Sequence, residues 1–315
     1  KMRQKRLPHR LRRDMTEPVI FFMQFFSPYD PYQIDVKNIM RGPSAEHLLG
    51  TDYLGRDLLS RLMVGGTRSV FTAILVVIIN ATVGTLIGII SGYVGGKADL
   101  IVMRITDMFQ AFPRLVFTIA IAAMLGGGLG WSVLAICTVG WTPYARLARA
   151  QALSLKERTF VNAARVTGQS RPAVLFKTIL PNALTPLIVE ASMDVGRVIL
   201  EFAGLSFLGL GTARPYPEWG SMLNDAQTSF MIVPHTALVP GIAILIVVVT
   251  TGFYELKFRA LAAGLYNIDN KSGEYLIDMM FYNRYSLSDV SKYKNVVVQC
   301  GYTENGSSYM YFRSG

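Results

Sequence analysis

Long apolar runs separated by short polar or glycine-bearing links set the pattern of this chain from residue 71 onward. A membrane-spanning helix needs roughly 20 mainly apolar residues. The stretch 71–93 (FTAILVVIINATVGTLIGIISGY) meets that need, and further apolar runs follow at 105–125, 131–147, 184–208 and 236–253. Pro113 and Pro143 fall inside the second and third of these. Proline and glycine are commoner in membrane helices than in soluble ones. The pattern predicts an all-α polytopic bundle of five spans. A sixth, near the N-terminus, is left open: 19–26 is apolar but short, and Pro28 and Pro31 close it off. The ordinary reading of so short a run is a buried or interfacial helix.

Composition agrees with the pattern. Of 315 residues, 51% are hydrophobic and 17% charged, against about 25% charged in an ordinary soluble domain. The net charge of +10 sits beside apolar runs, so it reads as a topology signal rather than a nucleic-acid footprint. The segment 145–177 carries Arg146, Arg149, Lys156, Arg158, Arg165, Arg171 and Lys177 against Glu157 alone. Lysine and arginine favour the cytoplasmic side, which places this segment and the link at Lys97 inside. The stretches 27–69, 126–130 and 209–234 are then external. The basic tail, with Arg3, Lys5, Arg6, Arg10, Arg12 and Arg13, also favours the inside, which requires a crossing between 14 and 28 in a segment short for one. The tail lacks the apolar region and small-residue cleavage site of a signal peptide.

The chain divides into a basic N-terminal part with the doubtful span (1–26), an external loop and amphipathic segment (27–70), a transmembrane core (71–256) and an atypical tail (257–315). Strand-like stretches at 294–302 and 307–312 flank Glu304-Asn305-Gly306, and Asn-Gly is a strong hairpin signal. The tail reads either as a small β element or as a partly disordered end. Cys137 and Cys300 form no metal or redox motif. His47 and His235 lack metal-ligand company and read as structural.

Three constellations bear on function. In the cytoplasmic segment 145–181, helical stretches at 145–155 and 159–167 break at Gly168, and Ala163 and Ala164 would let another surface come close. Pro181 punctuates entry to the next span. This is either a docking helix or an ordinary basic loop. Within the fourth span, Glu190, Asp194, Arg197 and Glu201 follow at intervals of 4, 3 and 4 residues, which puts them on one helical face. A charge at mid-bilayer costs about 2.5–3.5 kcal/mol on insertion scales. The stripe therefore faces its own charge partners, a subunit interface or the translocation path, with Arg197 placed to pair with Asp194 and Glu201. Arg104 and Asp107 read as a structural pair; Arg114 lies deeper. Third, the glycine- and proline-rich external segment carries Glu218, Trp219 and Asp225, either as an interfacial loop or as a capping element. No GxxxxGK[ST], GxSxG or HExxH is present, so ATP hydrolysis and these catalytic chemistries are not expected of this polypeptide.

The cytoplasmic segment resembles the EAA signature of ABC importer permeases. Ala163, Ala164, Gly168, Leu180 and Pro181 hold the matching spacings. Asn162 replaces the signature glutamate, and Thr178 stands at the first apolar position of the ending. SPYDP at 27–31, HLLGTDYLGRDLLSRLMVG at 47–65, SGYVGG at 91–96, AFPRL at 111–115, LSFLGLG at 205–211 and PEWGSML at 217–223 are similar to the dipeptide/oligopeptide/nickel permease group, C-type (DppC/OppC-like). The chain departs from that group at both ends, with GFYELKFRALAAGLYN after Thr251.

The resemblance implies an ABC type I importer permease (MetI-like) fold of five to six spans in a bacterial inner membrane. It implies a related B-type permease (DppB/OppB-like), two ATP-binding subunits holding ATP and Mg, and an extracytoplasmic solute-binding protein as partners. The chain itself holds no cofactor or metal. Asn162, Ala163, Ala164, Arg165, Gly168, Leu180 and Pro181 would couple to the ATPases; Glu218 and Trp219 would meet the binding protein. Peptides are the expected solute, with nickel, glutathione or oligosaccharide as alternatives. The rival classes are an ion-coupled carrier, which would need repeats that the sequence does not show, and a non-transporting membrane scaffold.

Overall fold

A computed structural model describes residues 26–262, with side chains to 252, and the strand residues 276–277, 296–302 and 308–314. The run at 19–25 and the basic tail lie outside the described residues.

The first long helix, α1, runs Leu58–Val94. It starts well before the apolar stretch, because Asp57 caps it by accepting from the Ser60 amide at 2.8 Å. The amphipathic half of the 27–70 segment is thus helical and continuous with the apolar run. Its 37 residues make a rod of about 55 Å. That exceeds a hydrocarbon core of about 30 Å, so α1 projects beyond the bilayer.

Next come α2 (Gly96–Gln110) and α3 (Arg114–Met124). They are bent by 84° at a break around Pro113. The run 105–125 is therefore not one straight span. Proline disfavours helical geometry in the residue before it, Phe112, and brings no N–H of its own. Pro113 becomes the N-cap of α3. Gly126, Gly127 and Gly128 all take positive φ in the tight external link that follows.

Then come α4 (Leu129–Gly140) and α5 (Thr142–Leu155), interrupted at Trp141 with Pro143 in the first turn of α5. The short helix α6 (Thr159–Val166) follows. The helical run α7 (Arg171–Phe207) begins further upstream than the apolar run 184–208. A π turn at Val174–Ile179 widens it just before Pro181. The short helix α8 (Trp219–Ala226) and the long helix α9 (His235–Ala262) follow among the described residues.

Among the described residues, α1, α7 and the 235–252 part of α9 are long and apolar enough to cross a membrane, as is the bent α2–α3 pair taken together. α4 and α5 are each shorter than a span because of their break. The described part of the first unit, to Thr251, is an all-α polytopic bundle with α1 and α7 at its centre. One buried cluster gathers Leu58, Val76, Ile136, Phe202 and Trp219; a second gathers Ile89, Tyr144, Ala148, Val161 and Ile179. Leu75, Ile78, Leu245 and Ile246 point outward, each more than half exposed, as apolar side chains do in a helix bundle solvated by lipid.

The 252–315 unit carries a three-stranded sheet of order β1-β3-β2, with β1 Leu276–Ile277, β2 Val296–Tyr302 and β3 Ser308–Ser314. β2 and β3 are antiparallel, with Tyr302 opposite Ser308 across the Asn-Gly segment.

Candidate functional site

At one end of the bundle, α5, α6 and the start of α7 form a turn-helix-turn platform. Val161 is buried, Ala164 half-buried, and both join the inner cluster. The opposite face of α6 is open: Phe160, Asn162, Ala163, Arg165 and Val166 are exposed, Val166 at 89%. An exposed apolar side chain next to small and polar ones suits docking into a partner's groove. Arg165 lies over the Tyr93 ring at 5.8 Å and donates to Asn162 Oδ1 at 3.3 Å, which ties α6 to the end of α1. Gly168 ends the helix with φ +83°, the left-handed cap at which glycine carries no Cβ penalty. Leu180 is half-buried and Pro181 exposed at the foot of α7. The residues 162–168 lie together on one surface; 180 and 181 lie where the platform joins the span.

The platform is locked to the bundle in two ways that the sequence reading missed. Gly84, Gly88 and Gly92 recur every fourth residue of α1 and face α5. A Cβ at Gly84 or Gly88 would collide with the backbone of Trp141 or Ala145, and at Gly92 it would come 2.8 Å from the Arg149 carbonyl. Small residues at this spacing let two membrane helices approach closely, and the repeat is visible in the sequence. Next to the seam, Asp99 of α2 receives both Nε and Nη2 of Arg149 at 2.6 Å, and the Ser91 hydroxyl at 2.6 Å. Asp107 pairs with Arg146 of α5 at 2.6 Å rather than with Arg104, because α5, not the exposed face of α2, lies against it.

In the span region the charged stripe of α7 is brought together with Arg114. Arg114 Nη1 lies 3.6 Å from Asp194 Oδ1, and its Nε lies 2.8 Å from Glu201 Oε1. The second contact is close but poorly aligned for a hydrogen bond; Arg114 Nη2 and Glu201 Oε2 make none among the described residues. Arg197 pairs with Asp194 at 2.9 Å and loosely with Glu190 at 3.7 Å. It does not take Glu201, whose partner is Arg114. Tyr144 of α5 donates to Asp194 Oδ2 at 3.1 Å and joins the site from a helix that sequence spacing could not connect to it. Asp194 is 1% exposed, whereas the Arg197 side chain is 42% exposed. An exposed guanidinium within a span needs water or protein beside it.

The opposite end of the bundle is a charge clamp. Arg56 Nε meets Asp52 at 2.6 Å, Arg56 Nη2 meets Asp225 at 3.1 Å, and Arg61 and Arg214 reach Asp225 at 3.4 and 3.0 Å. It fastens α8 to the loop before α1. His47 is structural, with Nδ1 2.9 Å from Asp57 Oδ1. Glu218 is fully buried and accepts from the Gly220 and Ser221 amides and the Ser69 hydroxyl. Burial pushes its carboxyl above the usual carboxylate range, opposed by those hydrogen bonds. Trp219 packs on Gly66 and donates Nε1 to the Leu62 carbonyl at 3.0 Å. These two side chains therefore face inward and seat α8 on α1, rather than offering their own atoms to a partner.

Residues 84–256 match the family model described as "Binding-protein-dependent transport system inner membrane component". The chain is 39% identical over 248 residues to the glutathione transport system permease protein GsiD of Pectobacterium atrosepticum, covering 78% of this chain and 80% of that one. It is 43% identical over 259 residues to the probable D,D-dipeptide transport system permease protein DdpC of Escherichia coli K12, covering 81% and 85%. An inward facing structure of the MetNI methionine ABC transporter is similar at a TM-score of 0.49 and 14% identity, over 65% of this chain and 97% of that chain. Membrane-length helices, an open basic platform on one side and the family match converge: the chain belongs to the binding-protein-dependent transport system inner membrane components, the permease subunits of ABC importers.

Proposed function

We propose that this chain is the C-type half of a heterodimeric pore in a bacterial inner membrane, importing short peptides at the expense of ATP hydrolysed by two partner subunits. The second half is a related B-type permease, and an extracytoplasmic binding protein delivers the solute. The observation that carries this reading is the open face of α6, anchored from behind by Val161 and ended by the positive-φ glycine 168. A helix held this firmly on one side and exposed on the other can transmit a push without deforming. ATP and Mg belong to the partner subunits. Closure of the ATPases moves α6, and α5 and α7 carry the motion into the spans. The Arg114–Asp194–Arg197–Glu201 cluster, with Glu190, lies at the path or the subunit interface.

The names of the two relatives favour short peptides, with glutathione, itself a tripeptide, as the particular alternative to a D,D-dipeptide. The complete complex, reconstituted with its binding protein, separates the questions in one experiment. A D,D-dipeptide or glutathione should stimulate its ATPase and be accumulated. Gly168→Pro and Ala164→Arg should leave the complex assembled and hydrolysing ATP but lower solute accumulated per ATP at least about tenfold, a loss equivalent to roughly 1.4 kcal/mol of coupling. Unchanged coupling in both variants would remove α6 from the mechanism, and failure of both solutes would remove the peptide assignment alone.

A further inference from the structure

Asn80 lies midway along α1, fully buried, and neither its amide oxygen nor its nitrogen finds a hydrogen-bond partner among the described residues. An unpaired amide at that depth destabilises the arrangement that contains it, and an apolar residue of the same shape would not. Its neighbour is Gly140: a Cβ added there would fall on the Asn80 side chain. Gly140 is the last residue of α4, just before the break at Trp141.

The break is a place where backbone carbonyls change partners. Pro143 has no N–H to offer the carbonyl four residues back, at Val139. The Thr142 hydroxyl donates to that carbonyl at 3.0 Å, and Trp141 Nε1 donates to the Thr138 carbonyl at 3.0 Å. Here the break satisfies itself with its own side chains. On its cytoplasmic side the Gly84, Gly88 and Gly92 seam binds α1 to α5 too closely for either to slide. α4 is joined to that rigid pair through Trp141, and Asn80 is the polar side chain of α1 that faces the joint.

We infer that Asn80 is a positioning residue of the transport cycle: when α4 turns against the α1–α5 pair, the Asn80 amide donates to the Thr138 or Val139 carbonyl that Trp141 or Thr142 releases. The amide is kept for an arrangement other than the one described, which is why it is unpaired in this one. The inference concerns the joint in the membrane and stands apart from the role of α6.

The test compares Asn80→Leu and Asn80→Ser in the complete reconstituted complex, using whichever of a D,D-dipeptide or glutathione the unaltered complex accumulates. Asn80→Leu should raise Tm by about 2–4 °C, because an unpaired amide is replaced by a side chain of similar shape. It should slow uptake by about tenfold, the loss expected for one hydrogen bond in the second arrangement. Asn80→Ser, which keeps a donor and an acceptor, should recover part of the rate. A lower Tm or failed assembly with leucine would show that the amide already serves the described arrangement, and would overturn the inference. So would uptake that leucine leaves unchanged.

Discussion

Arg114 decides how the charges within the spans balance. Its guanidinium faces two carboxylates of α7, Asp194 and Glu201, both at least nine-tenths buried. Removing one partner of a buried ion pair costs about 3–5 kcal/mol because it strands the other charge. Arg114→Leu should therefore lower the Tm of the complex and its yield, and adding Glu201→Leu should recover much of the loss. A double variant no better than the single one would mean that Glu201 is balanced elsewhere. The sequence placed Glu190, Asp194, Arg197 and Glu201 on one face through helical period alone. It could not assign Arg114 to Glu201, or bring in Tyr144, because those partners come from α3 and α5, and spacing along one helix carries no information about what packs across from it. The same reason misdirected Asp107 toward Arg104, its neighbour along the chain, when Arg146 was the neighbour in space.

At the scale of elements, long apolar runs were legible because they need nothing but length, and breaks were less so. The period of the 105–125 run continues through Pro113, yet the local backbone preference of Phe112–Pro113 overrides it and turns the run by 84°. The external end of α1 was hidden by the opposite effect. The charged 47–65 stretch carries no long apolar run, but Asp52, Asp225 and the Pro217 carbonyl satisfy Arg61 and Arg68 within the fold, so the helix runs through. The glycine seam was open to reading and is the element-scale feature most exposed to test. Gly88→Val would drive a branched side chain into the Ala145 backbone, and overpacking of this kind costs about 1–3 kcal/mol. The expected result is a lower Tm and reduced recovery of the complex. Gly204→Ala, where an added Cβ meets open space, should leave both unchanged. Equal effects from the two would mean that α1 and α5 do not depend on close approach.

Across the whole molecule, one side is a charge clamp that holds α8 to the loop before α1, the other is a basic platform built on α5 and α6, and the spans between them carry a pocket of paired charge. The orientation rule predicts which side is which from the arginines and lysines of 145–177. That prediction and the docking role proposed for α6 meet at Val166, the most exposed large apolar side chain of α6. The direct measurement replaces Cys137 and Cys300 with alanine, introduces Val166→Cys, and labels intact and inside-out vesicles with a membrane-impermeant maleimide. The account predicts labelling only in inside-out vesicles, and protection of that cysteine when the ATP-binding subunits are present. Labelling from the outside, or labelling that the ATPases leave unchanged, would contradict it.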